Sequence, residues 1–195
     1  MDQRVLVTAG ASGIGREIAR AFAAQGARVF VCDLDATGLG KLAHEIPGLA
    51  TTVCDMSKRG DIERMVPFGI DALGGLDVLV NNAGIAGPTA RVEEMDPDEW
   101  EKVVQVNLNG TFNVTRLAIP HLKKSQHGVI INMSSVAGKF GYPNRSRIRP
   151  PNGGLSASRK RFRSSWVNTT SVSMPFYRAR SRAHAWNGSS KPAQR

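Results

Sequence analysis

The stretch RVLVTAGASGIG at residues 4–15 decides the fold of this 195-residue chain. An apolar strand pattern runs directly into a glycine-rich turn, and a helical pattern follows with its apolar residues on one face: Ile14, Ile18, Ala21 and Phe22. Glycines at such a turn let the backbone bend tightly, let a pyrophosphate approach bare N–H groups and let the helix pack closely on the strand. The stretch therefore predicts the first strand and helix of a dinucleotide-binding domain.

Four more apolar runs of strand length follow, separated by segments long enough for helices, at residues 28–32, 50–54, 77–80 and 129–132. Strands that alternate with helices predict βαβ units and a parallel sheet. The fourth helix is the best marked, because Asp96 suits its N-cap, Pro97 its first turn and Glu99 a capping box. The fold class is therefore predicted as α/β, with a Rossmann-type, doubly wound parallel sheet.

The end of the second predicted strand bears on the choice of cofactor. Asp33 lies there, about 20 residues beyond the glycine turn, where a carboxylate can accept hydrogen bonds from ribose and repel a 2′-phosphate. Neither Ser12 nor Leu34 is basic, so neither of these positions offers a clamp for that phosphate. The pattern favours NAD over NADP. Arg16 keeps NADP open, and a solvated loop acid is the alternative interpretation of Asp33.

Polar residues also end or follow the third, fourth and fifth predicted strands. Asp55 ends the third, NNAG at residues 81–84 follows the fourth, and Ser134 and Ser135 follow the fifth. Each is open to a structural interpretation, since acids and amides cap turns and serines commonly end strands. Because the loops open on one edge of a parallel sheet, where such folds bind ligands, we expect them to form one site.

The fourth helix carries an amide on or beside its apolar stripe, at Asn107. An amide that faces a core is costly unless it is hydrogen-bonded. Asn107 is therefore either a satisfied core amide or part of a helix distortion that holds a water near the site.

Together these motifs resemble the classical short-chain dehydrogenase/reductases over residues 1–146. The resemblance rests on the glycine turn at residues 8–15, Asp55, the NNAG run, Asn107, and NMSSVAG at residues 132–138. One departure is Ala9, where the family's pattern has its first glycine, and we expect it to weaken cofactor binding at most. The resemblance implies hydride transfer between NAD(H) and a small alcohol or ketone, with Ser135 positioning the substrate and Asn107 in a relay. It implies a cofactor site, without metal, formed by Thr8, Gly10, Ser12, Gly13, Ile14, Gly15, Asp33, Leu34, Asp55, Met56, Asn81, Ala83 and Gly84.

The family's catalytic pair is missing from this chain. In the family a tyrosine exchanges the proton, and a lysine four residues later lowers its pKa, because an unassisted phenol is a poor base near neutral pH. Counted thirteen positions from Ser135, the tyrosine's place is taken by Ile148, and Asn152 stands where the lysine belongs. Neither side chain can transfer the proton, so the chain as written is predicted to be catalytically defective.

The composition changes sharply near residue 145. Residues 145–195 hold twelve Lys and Arg and no Asp or Glu, whereas residues 1–144 hold the other fourteen basic residues and all sixteen acidic ones. From Arg147 onward neither helical nor strand periodicity survives. Two interpretations compete: a disordered basic tail that binds nucleic acid, and translation in the wrong reading frame.

The genetic code favours the reading-frame interpretation. One C restored before codon 147 lets the tail read PYSATKWGLIGF, with the missing tyrosine at position 148 and a lysine four residues later. In the same frame the segment around residues 171–179 can read IRVNAILPG, a buried strand. We therefore predict a Rossmann domain at residues 1–146 with five of the usual strands, and an out-of-frame, irregular and disordered basic tail at residues 147–195.

Composition also bounds location and partners. With no signal peptide, no membrane-length apolar run and two cysteines inside apolar segments, the sequence predicts a cytoplasmic protein with no membrane partner. We expect no nucleic-acid partner and loss of the family's homo-oligomer interface. The alternative function is a non-catalytic dinucleotide-binding protein whose basic tail contacts nucleic acid with steep salt dependence.

Overall fold

A computed structural model describes residues 2–125, 127–135 and 168–174, the last of these as backbone only. Its strands are β1 (Arg4–Thr8), β2 (Arg28–Asp33), β3 (Ala50–Val53), β4 (Val78–Asn81), β5 (Val129–Ser135) and β6 (Asn168–Met174). Its α-helices are α1 (Gly13–Ala24), α2 (Ala36–Glu45), α3 (Arg59–Leu73), α4 (Pro97–Val104) and α5 (Thr111–Leu122). A π-helix, Gln105–Gly110, joins α4 to α5. The bounds of the first four strands lie within one residue of those predicted.

The strands form one parallel sheet in the order β3-β2-β1-β4-β5-β6. The chain order reverses between β1 and β4, because β2 and β3 are added on one side of β1 and the later strands on the other. A reversal of this kind leaves a crevice outside the carboxyl ends of the two central strands, where α/β folds bind ligands. The predicted doubly wound α/β fold is confirmed.

Alternate residues of the strands pack into two separate cores. Leu6 and Phe30 face a core completed by α3 and α5, whereas Val5 and Val31 face one completed by α1 and α2. With both faces covered by helices, a central strand must be apolar at every position, which is why RVLVT shows no polar alternation. The free cysteines, Cys32 and Cys54, are both buried within the first core.

One detail of the predicted fold is corrected, since the sheet does not stop at its fifth strand. β6 pairs with β5 from Val129 opposite Asn168 to Ser135 opposite Met174, so the predicted irregular tail contains a strand. An edge of unpaired N–H and C=O groups is a template for a further strand, and the sequence NTTSVSM is rich in β-branched residues. The strand overlaps the segment where the restored reading frame predicts a buried strand.

An ion pair lies at the amino-terminal ends of the strands, on the side of the sheet away from the crevice. The Arg4 guanidinium donates to Asp77 through Nε at 2.8 Å and Nη2 at 2.7 Å, and the Arg4 backbone N–H donates to the same carboxylate at 2.9 Å. Ser125 Oγ donates to Asp77 at 2.6 Å. These contacts hold the Asp77 pKa well below its usual range, chiefly through the hydrogen bonds from Arg4. They join β1 to the turns before β4 and β5.

Candidate functional site

The glycine turn, residues 8–15, is shaped by two left-handed residues. Ala9 has φ of +53° and Gly13 has φ of +55°. No described atom lies within 4 Å of where a Cβ on Gly13 would stand, so the turn is open on that side. On the inner side, a Cβ on Gly15 would lie 2.3 Å from the Ala9 carbonyl oxygen and 2.5 Å from Asn82 Nδ2. The turn is thus packed against the protein on one face and bare on the other.

Thr8 and Asn82 fasten this turn to the loop after β4. The Asn82 side chain donates to the carbonyl oxygens of Thr8 at 3.1 Å and Ala9 at 2.8 Å. Thr8 Oγ1 in turn accepts from the backbone N–H groups of Asn82 and Ala83, both at 3.0 Å. Four hydrogen bonds therefore join the two loops that border the crevice between β1 and β4. Thr8 was predicted as a site residue, whereas the role of Asn82 was missed, although it lies within the quoted NNAG run.

The N-terminus of α1 opens onto the bare side of the turn. Ser12 is its N-cap residue and makes no side-chain capping hydrogen bond within the described part of the chain, and both Ser12 and Gly13 are exposed. The first N–H groups of a helix have no partner within the helix, and the helix dipole favours a negative charge beside them. This end of α1 has the chemistry of a phosphate site.

Asp33 holds the glycine turn from the β2 side. Its Oδ2 accepts from the Ala11 N–H at 2.9 Å, and its Oδ1 accepts from the Asp35 N–H at 3.1 Å. Each carboxylate oxygen has two lone pairs, so both retain room for a further donor. The next residue, Leu34, is 67% exposed and leaves an open apolar surface beside this carboxylate.

The basic residue that directly follows the turn in sequence is already paired. Arg16 Nη2 on α1 donates to the Glu45 carboxylate at the end of α2, and Arg20 lies 4.0 Å from the same carboxylate. The Arg16 guanidinium is thereby held by an acid of the protein itself.

Asp55 sits in a tight turn after β3. Its Oδ1 accepts from Ser57 Oγ at 2.7 Å and from the Ser57 N–H at 2.9 Å, and Lys58 Nζ lies 3.7 Å from its Oδ2. The hydrogen bonds from Ser57, and then the charge of Lys58, lower the Asp55 pKa. The turn-capping interpretation thus holds for one oxygen, while the other faces only the lysine among the contacts described. The neighbouring Met56 side chain is buried, so only its backbone could touch a ligand.

Asn81 lies beneath the crevice at the end of β4. Its Nδ2 donates to Asn132 Oδ1 at 2.8 Å and to Thr115 Oγ1 at 3.0 Å, and the residue is 4% exposed. Its Oδ1 is buried without a hydrogen-bond partner in the described part of the chain. The Asn81 side chain therefore links β4 to β5 through Asn132 and to α5 through Thr115. Three residues beyond Asn132, Ser135 ends β5.

Asn107 lies in the π-helix, so the expected helix distortion is present, while the water that it was expected to hold near the site stays a prediction. Its amide accepts from the Ile85 N–H at 2.8 Å and donates to the Ile85 carbonyl at 2.9 Å, so it is also a satisfied buried amide. A Cβ on Gly84 would lie 3.4 Å from Asn107 Oδ1, so this loop runs close beside the Asn107 side chain. The π-helix thereby holds the loop after β4.

The structure brings most of the predicted site residues to the carboxyl edge of the sheet. The glycine turn, Asp33, Asp55, residues 81–84 and Ser135 all lie at or just beyond the ends of their strands. Ile148 and Asn152, which stand where the catalytic pair is expected, lie outside the described residues. Within the described ranges there is no group of three His, Cys, Asp or Glu able to hold a metal, and no helix long and apolar enough to cross a membrane.

Comparison with known proteins agrees with this geometry. A family model described as short chain dehydrogenase matches residues 3–147. The L-fucose dehydrogenase of Bos taurus is 40% identical over 137 residues, which are 70% of this chain and 50% of that protein. The 3-oxoacyl-(acyl-carrier-protein) reductase of Thermotoga maritima is 36% identical over 77% of this chain and 62% of its own length. The chain therefore spans about half to three fifths of these relatives.

Solved structures show the same fold. The 3-ketoacyl-(acyl-carrier-protein) reductase of Brucella melitensis, crystallised in complex with NADH, superposes with a TM-score of 0.83 at 30% identity, covering 89% of this chain and 75% of that one. A short chain dehydrogenase from Mycobacterium smegmatis superposes with a TM-score of 0.81, also at 30% identity.

Proposed function

The chain belongs to the short-chain dehydrogenase family, and from that premise we propose that it binds NAD(H) in the crevice between β1 and β4. The observation that carries the proposal is the open face of the glycine turn. Gly13 leaves free space above the exposed and uncapped start of α1, where backbone N–H groups can meet a pyrophosphate. The solved relative crystallised with NADH supports a nicotinamide dinucleotide at this place.

The adenosine half would lie over Asp33 and Asp55. Asp33 can accept hydrogen bonds from the ribose hydroxyls with its remaining lone pairs, and Asp55 can accept one from the adenine amino group. A 2′-phosphate would meet the Asp33 charge, and Arg16, which directly follows the turn in sequence, is already engaged by Glu45. These contacts support NAD over NADP.

The reaction that membership of this family implies is hydride transfer between the cofactor and an alcohol or carbonyl carbon. When bound, the nicotinamide ring supplies or accepts the hydride. Ser135 at the end of β5 can donate a hydrogen bond to the substrate oxygen, and Asn107 keeps the loop after β4 in place. Neither can exchange the proton at that oxygen, because a serine hydroxyl and an amide do not titrate near neutral pH. With Ile148 and Asn152 at the positions of the tyrosine and the lysine, we propose binding without turnover.

The experiment compares two chains made from one gene. The chain as written and the chain with one C inserted before codon 147 are titrated with NADH and with NADPH by calorimetry. Both are then assayed for NADH oxidation with a panel of carbonyl compounds that includes a 3-oxoacyl thioester, and for NAD reduction with L-fucose.

We expect the 195-residue chain to bind NADH more tightly than NADPH and to turn over no substrate, and the restored frame to turn over at least one. Failure to bind either dinucleotide would contradict the proposed site. Turnover by the chain as written would contradict the proposed catalytic defect.

A further inference from the structure

Gln105, the first residue of the π-helix, has its side chain fixed in one orientation. Its Nε2 donates to the Ser57 carbonyl oxygen at 3.1 Å, and its Oε1 accepts from Asn109 Nδ2 at 2.7 Å. A backbone carbonyl oxygen is only an acceptor, so Ser57 requires the nitrogen of Gln105 to face it. The oxygen of Gln105 is thereby left for the side-chain nitrogen of the exposed Asn109. Ser57 and Asn109 together therefore fix the orientation of the Gln105 amide.

Ser57 carries this contact on to Asp55. The backbone N–H and the hydroxyl of Ser57 both donate to Asp55 Oδ1, at 2.9 and 2.7 Å. The same loop is held close to the π-helix at Gly110, where a Cβ would stand 2.6 Å from the Met56 carbonyl oxygen. One end of the π-helix thus donates to the carbonyl of Ser57 and the other packs against the carbonyl of Met56, so the loop after β3 is contacted by the π-helix at two neighbouring residues.

We infer that Gln105 is a positioning residue for the adenine end of the dinucleotide, acting through Ser57 on the carboxylate of Asp55. The inference rests on the proposed function, in which Asp55 faces the adenine amino group. The side chain of Gln105 need not touch the cofactor. Its effect is to hold the Asp55 carboxylate, an acceptor that can distinguish adenine from a base without the amino group.

The test uses two probes that differ at the edge of the base that carries this amino group. They are ADP-ribose and its hypoxanthine counterpart, inosine diphosphate ribose, which has a carbonyl oxygen where adenine has its amino group and an N–H where adenine has the acceptor N1. Calorimetric titration of the full chain gives an affinity ratio that reports on the groups facing this edge of the base, which in the proposed function include Asp55. A general loss of folded protein lowers both affinities equally and leaves this ratio unchanged.

Gln105→Met keeps the length of the side chain and removes the donor. We expect ADP-ribose affinity to fall about two- to tenfold, as for the loss of one hydrogen bond, and the preference over the hypoxanthine analogue to fall with it. Binding of the analogue should change little. An unchanged ratio in Gln105→Met would overturn the inference, while NADH binding by the unaltered chain would leave the proposed function standing.

Asn109→Asp tests the same chain of contacts without altering Gln105. A carboxylate accepts but does not donate, so it cannot bond the Gln105 oxygen and instead competes with the Ser57 carbonyl for the Gln105 nitrogen. We expect the ratio to fall as in Gln105→Met. Asn113→Asp places the same new charge one helical turn further along and should leave the ratio unchanged.

A fall in the ratio with Asn113→Asp that equals the fall with Asn109→Asp would assign the effect to charge and overturn the inference. Thermal unfolding of each variant accompanies the titrations. If the unaltered chain binds neither nucleotide, the proposed function fails and this inference fails with it.

Discussion

The side-chain nitrogen of Asn82 lies 2.8 Å from the carbonyl oxygen of Ala9, so the loop after β4 fixes the peptide plane that follows the left-handed residue of the glycine turn. The same oxygen lies 2.3 Å from where a Cβ on Gly15 would stand. The Ala9 carbonyl group is therefore approached both by Gly15, six residues further along, and by Asn82, 73 residues away. This shared contact leads to the first two predictions.

Ala9→Gly should stabilise the protein. A left-handed φ costs an L-residue about 1–2 kcal/mol, and glycine avoids that cost but gives back about 0.5–1 kcal/mol through the greater freedom of the unfolded chain. We expect the free energy of unfolding in urea to rise by about 0.5–1 kcal/mol. Ala21→Gly in the exposed middle of α1 is the matched control and should lower it by about 1 kcal/mol. Equal destabilisation by the two substitutions would show that Ala9 is not strained.

Gly15→Ala should disrupt the turn. The new methyl group would overlap the Ala9 carbonyl and the Asn82 amide, both of which are held by other contacts, so the turn must open. We expect a loss of about 2–3 kcal/mol in the free energy of unfolding and at least tenfold weaker NADH binding. Gly40→Ala in α2, where no described atom lies within 4 Å of the new methyl group, should instead stabilise by about 0.5–1 kcal/mol and leave binding unchanged.

Asn107→Ala should loosen the loop after β4. It removes both hydrogen bonds to the Ile85 backbone and opens space at a residue that is 8% exposed. We expect the free energy of unfolding to fall by about 2 kcal/mol, at about 1 kcal/mol for each hydrogen bond. Amide exchange at Ile85 should accelerate. Asn113→Ala, for which no side-chain hydrogen bond is described, should change the free energy of unfolding by no more than about 0.5 kcal/mol. It should leave amide exchange at Ile85 unchanged.

Asp77→Asn should lower the free energy of unfolding more at neutral pH than in acid. Hydrogen bonds from Arg4 lower the pKa of Asp77 in the folded state, whereas in the unfolded chain it titrates near 3.9. Its stabilisation is therefore complete above about pH 5 and is lost as the pH falls below about 4 toward the folded-state value. We expect Asp77→Asn to lower the free energy of unfolding by about 2 kcal/mol at pH 7.

The measurement is the difference in unfolding free energy between wild type and Asp77→Asn from pH 7 to pH 2.5. That difference should shrink as the pH falls. Asp2→Asn, which breaks the exposed pair with Arg28, is the control and should show a smaller effect at every pH, since exposed ion pairs contribute little. A difference for Asp77→Asn that stays constant into acid would mean that the Arg4 pair does not stabilise the fold.

The strands and the loops of the site could be predicted because their signals are local. A buried parallel strand must be apolar throughout, and a glycine turn before an amphipathic helix constrains the backbone within a few residues. The partners of Asn82, Gln105 and Asn107 could not be predicted, because each contact joins residues 22 to 74 positions apart. β6 was missed for a related reason. NTTSVSM has the composition of a strand but no strong pattern, and the open edge of β5 gives it a partner.

The residues alone were enough to predict a glycine turn after β1 and an acid at the end of β2, and they show isoleucine and asparagine at positions 148 and 152. These features could be predicted because backbone conformation at glycine, strand burial and side-chain chemistry are properties of single residues and their near neighbours. The folded chain was needed to show that Ala9 is left-handed, that Glu45 engages Arg16, and that a π-helix contacts the loops after both β3 and β4. Those features depend on which groups meet across the sheet edge, and that is set by packing rather than by local sequence.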